Sequence, residues 1–236
     1  THLALVGIVG QRQDEDLQTS LQQVLPAAFA AVIYPVFSLY YQQRSRILSQ
    51  LFERACGYLL ALSVPASFAL SVLAADILAT VWPSYLASAT TFQVMAWSVP
   101  FVFLAFPTGY LLNACNREYR NTFNRGLITA AAVGGNLVVI PRFGYLGAGA
   151  VFLAASVGLL GLDLISAWGI VQPRLGVLAG LVGKAVIASL AMTAVLLALR
   201  PHFSLPLRIG LGGMTYAAVA AIFRIWRLPS FPNHRA

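Results

Sequence analysis

From Asn136 to Ala150 the chain reads Asn-Leu-Val-Val-Ile-Pro-Arg-Phe-Gly-Tyr-Leu-Gly-Ala-Gly-Ala, a cluster of helix breakers between two long apolar runs. The run before it, Asn121 to Ile140, is long enough to cross a hydrocarbon core of about 30 Å. Pro141 and Gly144 are expected to end it, and Gly147, Ala148 and Gly149 open a second run with residues small enough for close packing. A chain with this pattern is constrained to two membrane spans joined by a very short turn.

Hydrophobic residues make up 59% of the chain and charged ones 9%, against about 25% charged in soluble domains. The expected fold is therefore an all-α integral membrane bundle. Seven apolar runs of bilayer length can be marked: Val24–Tyr41, Ala55–Ala75, Thr91–Leu112, Thr122–Ile140, Ala148–Val171, Ala179–Leu199 and Leu205–Ile222. Residues 1–176 are expected to form one bundle, and 177–236 an added hairpin with a tail. The segment Trp82–Thr91, edged by Tyr85 and Trp97, reads as an exterior connection with interfacial aromatics. Pro26, Pro35, Pro65, Pro100 and Pro107 fall within or at the ends of spans, where each removes a backbone donor and favours a kink.

The net charge of +8 does not imply nucleic acid, because the basic residues are scattered through short connections rather than gathered on one soluble face. Eleven of the fifteen, Arg44, Arg46, Arg54, Arg117, Arg120, Arg125, Arg174, Lys184, Arg224, Arg227 and Arg235, fall on one side; Arg12, Arg142, Arg200 and Arg208 fall on the other. The positive-inside rule then places the C-terminus in the cytoplasm. An exterior start at Thr1 calls for a cleaved signal or an upstream partner, and the expectation is a C-terminal fragment lacking a first bundle. Cys56 and Cys115 show neither a pairing framework nor metal spacing, and His2, His202 and His234 lie far apart. No metal and no cofactor is expected.

The stretch Gln11–Gln23 is polar on almost every face, whereas Val24–Tyr41 is apolar. As one helix, Gln11–Tyr41 would extend about 46 Å, more than the hydrocarbon thickness. Gln11, Glu15, Gln18 and Gln22 share one side at helical spacing, a stripe that at membrane depth must face a wet cavity or another helix. An amphipathic exterior loop before an ordinary span is the alternative.

Several features, in order, resemble the polysaccharide (O-antigen and capsule) flippases of the multidrug, oligosaccharidyl-lipid and polysaccharide exporter superfamily. In that group an apolar helix closes on Asn-Leu-x-Leu-Ile-Pro and reopens on Gly-x-x-Gly-Ala, which Asn136–Pro141, with Val139 at the second leucine, and Gly144 onward resemble. Val6-Gly-Ile-Val-Gly10 and the polar helix ending Pro35-Val-Phe-Ser38 resemble the family's eighth, cavity-lining helix. Arg44 to Arg54 resembles its basic cytoplasmic link, and Tyr110–Arg117 resembles the turn after its tenth helix, with Asn116 in place of the usual glycine. Asparagine also tolerates a left-handed backbone. The resemblance covers about Val6 to Val171. It implies the second half of a fourteen-helix protein in a bacterial inner membrane, carrying an undecaprenyl-pyrophosphate-linked oligosaccharide outward. The implied partners are that lipid-linked substrate, membrane lipids, the missing N-terminal bundle and other polysaccharide assembly proteins.

Against this frame, Arg12 is the one basic residue on the expected cavity helix, suited to bidentate contact with a pyrophosphate; an exposed loop arginine is the plain alternative. With Glu15, Gln18 and Gln22 it makes up the substrate-cavity candidates. Asp14, Glu15 and Asp16 would repel a phosphate and are candidates for a coupling proton or sodium, or for pairing with arginines of the missing half. Asp163, expected near the middle of the fifth span, carries a charge whose insertion costs on the order of 3 kcal/mol there. It is the leading coupling candidate, with Asn136 expected to supply a neutral oxygen beside it and Asp16 as a further candidate; a protonated packing residue is the alternative. Gly134 and Gly135 are expected to allow close helix approach. A multidrug or lipid II exporter of the same superfamily is the second reading. A membrane enzyme of envelope polysaccharide assembly is the third, opposed by short exterior loops and the lack of an intramembrane histidine; the chain is not expected to be an enzyme.

Overall fold

The computed structural model describes residues 33–41, 47–200 and 203–223. Every regular element among them is helical. The elements are α1 (33–41), α2 (Ile47–Val81), a 3₁₀ turn (Pro83–Ser88), α3 (Ala89–Ala96), α4 (Val99–Ala114), α5 (Glu118–Ala167), α6 (Leu175–Ala198) and α7 (Leu205–Ile222). Four of these helices are long and apolar enough to cross a membrane, and the bent pair Pro83–Ala96 and Val99–Ala114 gives up to a fifth. This is a multi-pass membrane protein.

α5 is 50 residues long only in name, because Gly144 breaks it at φ 57°, ψ −140°. That backbone is open to glycine and closed to residues with a Cβ. The two legs, 118–143 and 145–167, then run back along each other. Gly135 meets Val151, Ile128 meets Gly158 and Asn124 meets Asp163, so a step back along one leg is matched by a step forward along the other. A Cβ on Gly147 would lie 2.6 Å from Val139 Cγ1, so the crossing closes only on glycine. The expected hairpin is present, with one correction: Pro141 lies inside the first leg, and Gly144 alone makes the reversal. Gly135 approaches the opposite leg as expected, whereas Gly134 faces open space.

The expected span Thr91–Leu112 is broken. α3 and α4 meet at Trp97–Ser98, with a bend of 46° between the helix ahead of the break and α4. Pro100 in the first turn of α4 has no N–H to donate back to the end of α3, so the α3 hydrogen-bond ladder cannot run on unbroken into α4. α4 ends in a Schellman motif in which Arg117 N–H donates to Leu112 O (2.8 Å) and Asn116 N–H to Asn113 O (3.3 Å). Asn116 takes φ +57°, the left-handed turn that the sequence allowed to an asparagine.

α2 is the central helix, packing on α3, α4 and α6, while α7 rests chiefly on α6. One core joins α2, α6 and α7 through Leu60, Ala61, Val64, Met192, Leu196 and Tyr216. A second joins α1, α2, α4 and the end of α5 through Phe37, Phe52, Leu111, Leu112 and Ala167. The hairpin α6–α7 is thus docked on the middle of the bundle. Polar ties fix both ends of α2: Glu53 accepts the Arg174 backbone N–H (2.7 Å) and its guanidinium (3.2 Å), and Asp76 accepts Arg208 (2.7 Å) and Arg200 (3.1 Å). Between them, Pro65 leaves the carbonyl four residues earlier without its helical donor, and the Tyr216 hydroxyl of α7 donates to that carbonyl, on Ala61.

With α5 counted as two legs, the six later spans expected from sequence all lie among the described residues; of Val24–Tyr41 only 33–41 does. Lys184, assigned to a connection, instead sits more than two turns into α6, exposed, where its long stem can carry the ammonium toward the membrane surface.

Candidate functional site

Because the chain reverses at Gly144, Asp163 near the end of the second leg lies beside the start of the first. Its side chain is completely buried. Asn124 donates to Asp163 Oδ1 (2.8 Å) and, with its other amide hydrogen, to Ser166 Oγ (3.1 Å). Asp163 Oδ2 is buried and has no hydrogen-bond partner among the described residues. Arg117, just after the Asn116 turn, reaches back to the Ser166 carbonyl at 2.8 Å.

One turn away on the first leg, Asn121 donates to Asn113 Oδ1 of α4 (2.8 Å) and accepts from Arg125 Nε (3.1 Å). Gly109 gives Arg125 its room, since a Cβ there would stand 2.9 Å from Arg125 Nη2. Asn121, Asn124 and Arg125 occupy helical positions that face α4 and the second leg together. The result is a polar cluster of three asparagines, a serine, two arginines and one carboxylate at the α4–α5 end of the bundle. No arginine lies within ion-pair distance of Asp163 among the described residues, and Arg125 is held by Asn121.

The geometry corrects two sequence expectations. Asp163 is not at the middle of its helix: Ala167 ends the helix four residues later. Asn136 is not beside it, because twelve residues separate Asn136 from Asn124 on the same leg, about 18 Å of helix rise. Asn136 Oδ1 is buried without a hydrogen-bond partner among the described residues, nearer the hairpin tip. Arg12, Glu15, Asp16, Gln18 and Gln22 lie outside the described residues. Sequence reasoning missed Asn121, Asn124 and Ser166; the available signal was two asparagines and an arginine on one face where an otherwise apolar helix begins.

An apolar helical bundle with a reversed hairpin, a central α2 and a buried carboxylate at one end can now be set beside known proteins. It is similar to a lipid II flippase. The solved structure is that of MurJ in an inward closed conformation, matched with a TM-score of 0.69 over 88% of this chain at 15% identity. The chain spans 46%, about half, of that protein's length. No sequence family and no curated protein matches the chain. The likeness to MurJ is one of fold.

Proposed function

We propose that the chain is one helix bundle of a transporter that moves a lipid-linked, undecaprenyl-pyrophosphate-bearing oligosaccharide repeat unit across a bacterial inner membrane by alternating access. The observation that carries the reading is the flippase-type fold matched over 88% of the chain. The ordered sequence features running from Val6 to Val171 add to it. A second bundle supplies the other wall of the pathway, because rocking requires two bodies. The C-terminus is proposed to be cytoplasmic: Arg54, Arg117, Arg120, Arg125 and Arg174 gather at the α4–α5 end, whereas Arg142, Arg200 and Arg208 mark the other.

Asp163 is the proposed coupling group. A completely buried carboxylate with one oxygen unpartnered has no cation within ion-pair distance among the described residues, and a proton or a small cation at Oδ2 would supply that partner. Arg12, Glu15, Gln18 and Gln22 are proposed to face the substrate, with Asp16 as a further coupling group.

Lipid II as cargo is the second reading, favoured by the similarity to MurJ. The test is a proteoliposome assay that follows fluorescent lipid-linked substrates into a quencher-accessible leaflet. The two-bundle protein containing this chain is expected to move a polyprenyl-pyrophosphate oligosaccharide faster than lipid II. Preference for lipid II would assign the second reading, and movement of neither would end both.

A further inference from the structure

α4 and α6 both pack on α2 without extensive contact between the two, which leaves a cleft in the bundle. The cleft has a volume of about 530 Å³ and runs along α2 from Phe52 to Phe68, about 24 Å of helix rise. Pro173 stands at one end and Trp97 at the other. Its lining is apolar apart from the Cys56 thiol and the hydroxyls of Ser67 and Thr108, and Thr108 already donates to its own helix at Leu104 O. The cleft is longer than the depth of one leaflet, about 15 Å of a core about 30 Å thick, so it accommodates one extended hydrocarbon chain, while its apolar lining offers a sugar's hydroxyls almost no partners.

The Pro173 end is also the basic end. Arg174 adjoins Pro173, is 60% exposed in its side chain, and meets Glu53 by one edge of its guanidinium. The described residues at this end carry more arginines than carboxylates. A phosphate at the membrane surface would find a planar cation directly above an apolar slot.

We propose that this cleft is a binding site for a bilayer phospholipid, one acyl chain lying between α4 and α6 against α2 and the phosphate held at Arg174. The lipid is a resident of the bundle and distinct from the cargo. It occupies the gap between the α6–α7 hairpin and α4, so it braces the docking of that hairpin.

Native mass spectrometry of the purified chain, released from mild detergent, tests this. One phospholipid per chain is expected to stay bound, with phosphatidylglycerol retained several-fold over phosphatidylcholine. Val182→Phe, which fills the slot from α6, is expected to lower retention about tenfold at unchanged helicity. Arg174→Gln is expected to keep a lipid and lose the headgroup preference; since neither role rests on the other, one variant that fails to fold leaves the second to decide. Absence of any retained phospholipid in the wild-type chain overturns the site. So does full retention in the Val182→Phe protein. Displacement of the phospholipid by an equal concentration of undecaprenyl phosphate overturns it as well, by assigning the slot to the cargo's tail and leaving the flippase reading intact.

Discussion

At the scale of single residues, two backbone positions decide where the chain turns. Gly144 sits at φ 57°, ψ −140°, and Gly144→Ala is expected to destabilise the protein by about 1–3 kcal/mol through backbone strain alone, since nothing lies within 4 Å of the added carbon. A fall in the thermal midpoint in detergent checks it. Asn116 offers the opposite comparison at φ +57°: Asn116→Gly is expected to be neutral or mildly stabilising and Asn116→Ala to cost about 1 kcal/mol. Cys115 beside it is buried, which disfavours the thiolate and pushes the thiol up to about 11, with the Arg117 charge offsetting part of the effect. Iodoacetamide alkylation of Cys115 is therefore expected to be slower at pH 7 than that of a free thiol and to keep rising by about tenfold per pH unit beyond pH 9, where an ordinary thiol has levelled off. Both turns were legible in the sequence because glycine and asparagine are the residues that most readily adopt a positive φ. The partners of Asp163 were not, because Asn124 stands thirty-nine residues away and only the reversal at Gly144 brings the two together.

At the scale of elements, the sequence pattern gives apolar length well and helix interruption poorly. The break between α3 and α4 is invisible to hydropathy, since Thr91–Leu112 is apolar on both sides of it; Pro100 is its only local mark. The docking of α6–α7 was equally hidden, because its polar ties join positions more than 100 residues apart. Those ties give two tests. Tyr216→Phe removes the donor to the carbonyl that Pro65 leaves exposed on Ala61 and is expected to cost about 1–3 kcal/mol, the penalty of an unsatisfied buried acceptor. Asp76→Ala strands the buried Arg208 guanidinium and is expected to cost more, about 3–5 kcal/mol. Arg200→Ala, which removes a side chain that is itself half-exposed, is expected to change stability by less than about 1 kcal/mol. Chemical denaturation of the three variants side by side orders them.

At the scale of the whole molecule, the described helices form a bundle similar in fold to MurJ whose buried carboxylate lies at one end, where the expected mid-membrane position of Asp163 gives way to a place in a polar cluster. Within that cluster, Asp163 Oδ2 is the buried side-chain atom without a hydrogen-bond partner among the described residues. Asp163→Asn in the two-bundle protein is therefore expected to slow transport at least tenfold and to flatten its dependence on a proton or sodium gradient, with the fold intact by circular dichroism. The central proposal is that this chain is one bundle of a lipid-linked oligosaccharide flippase. Its most direct test is flipping of a fluorescent polyprenyl-pyrophosphate oligosaccharide in proteoliposomes holding either this chain alone or this chain together with its second bundle. The account predicts no movement with the chain alone and movement with both bundles; movement by the single bundle, or none by the pair, contradicts it.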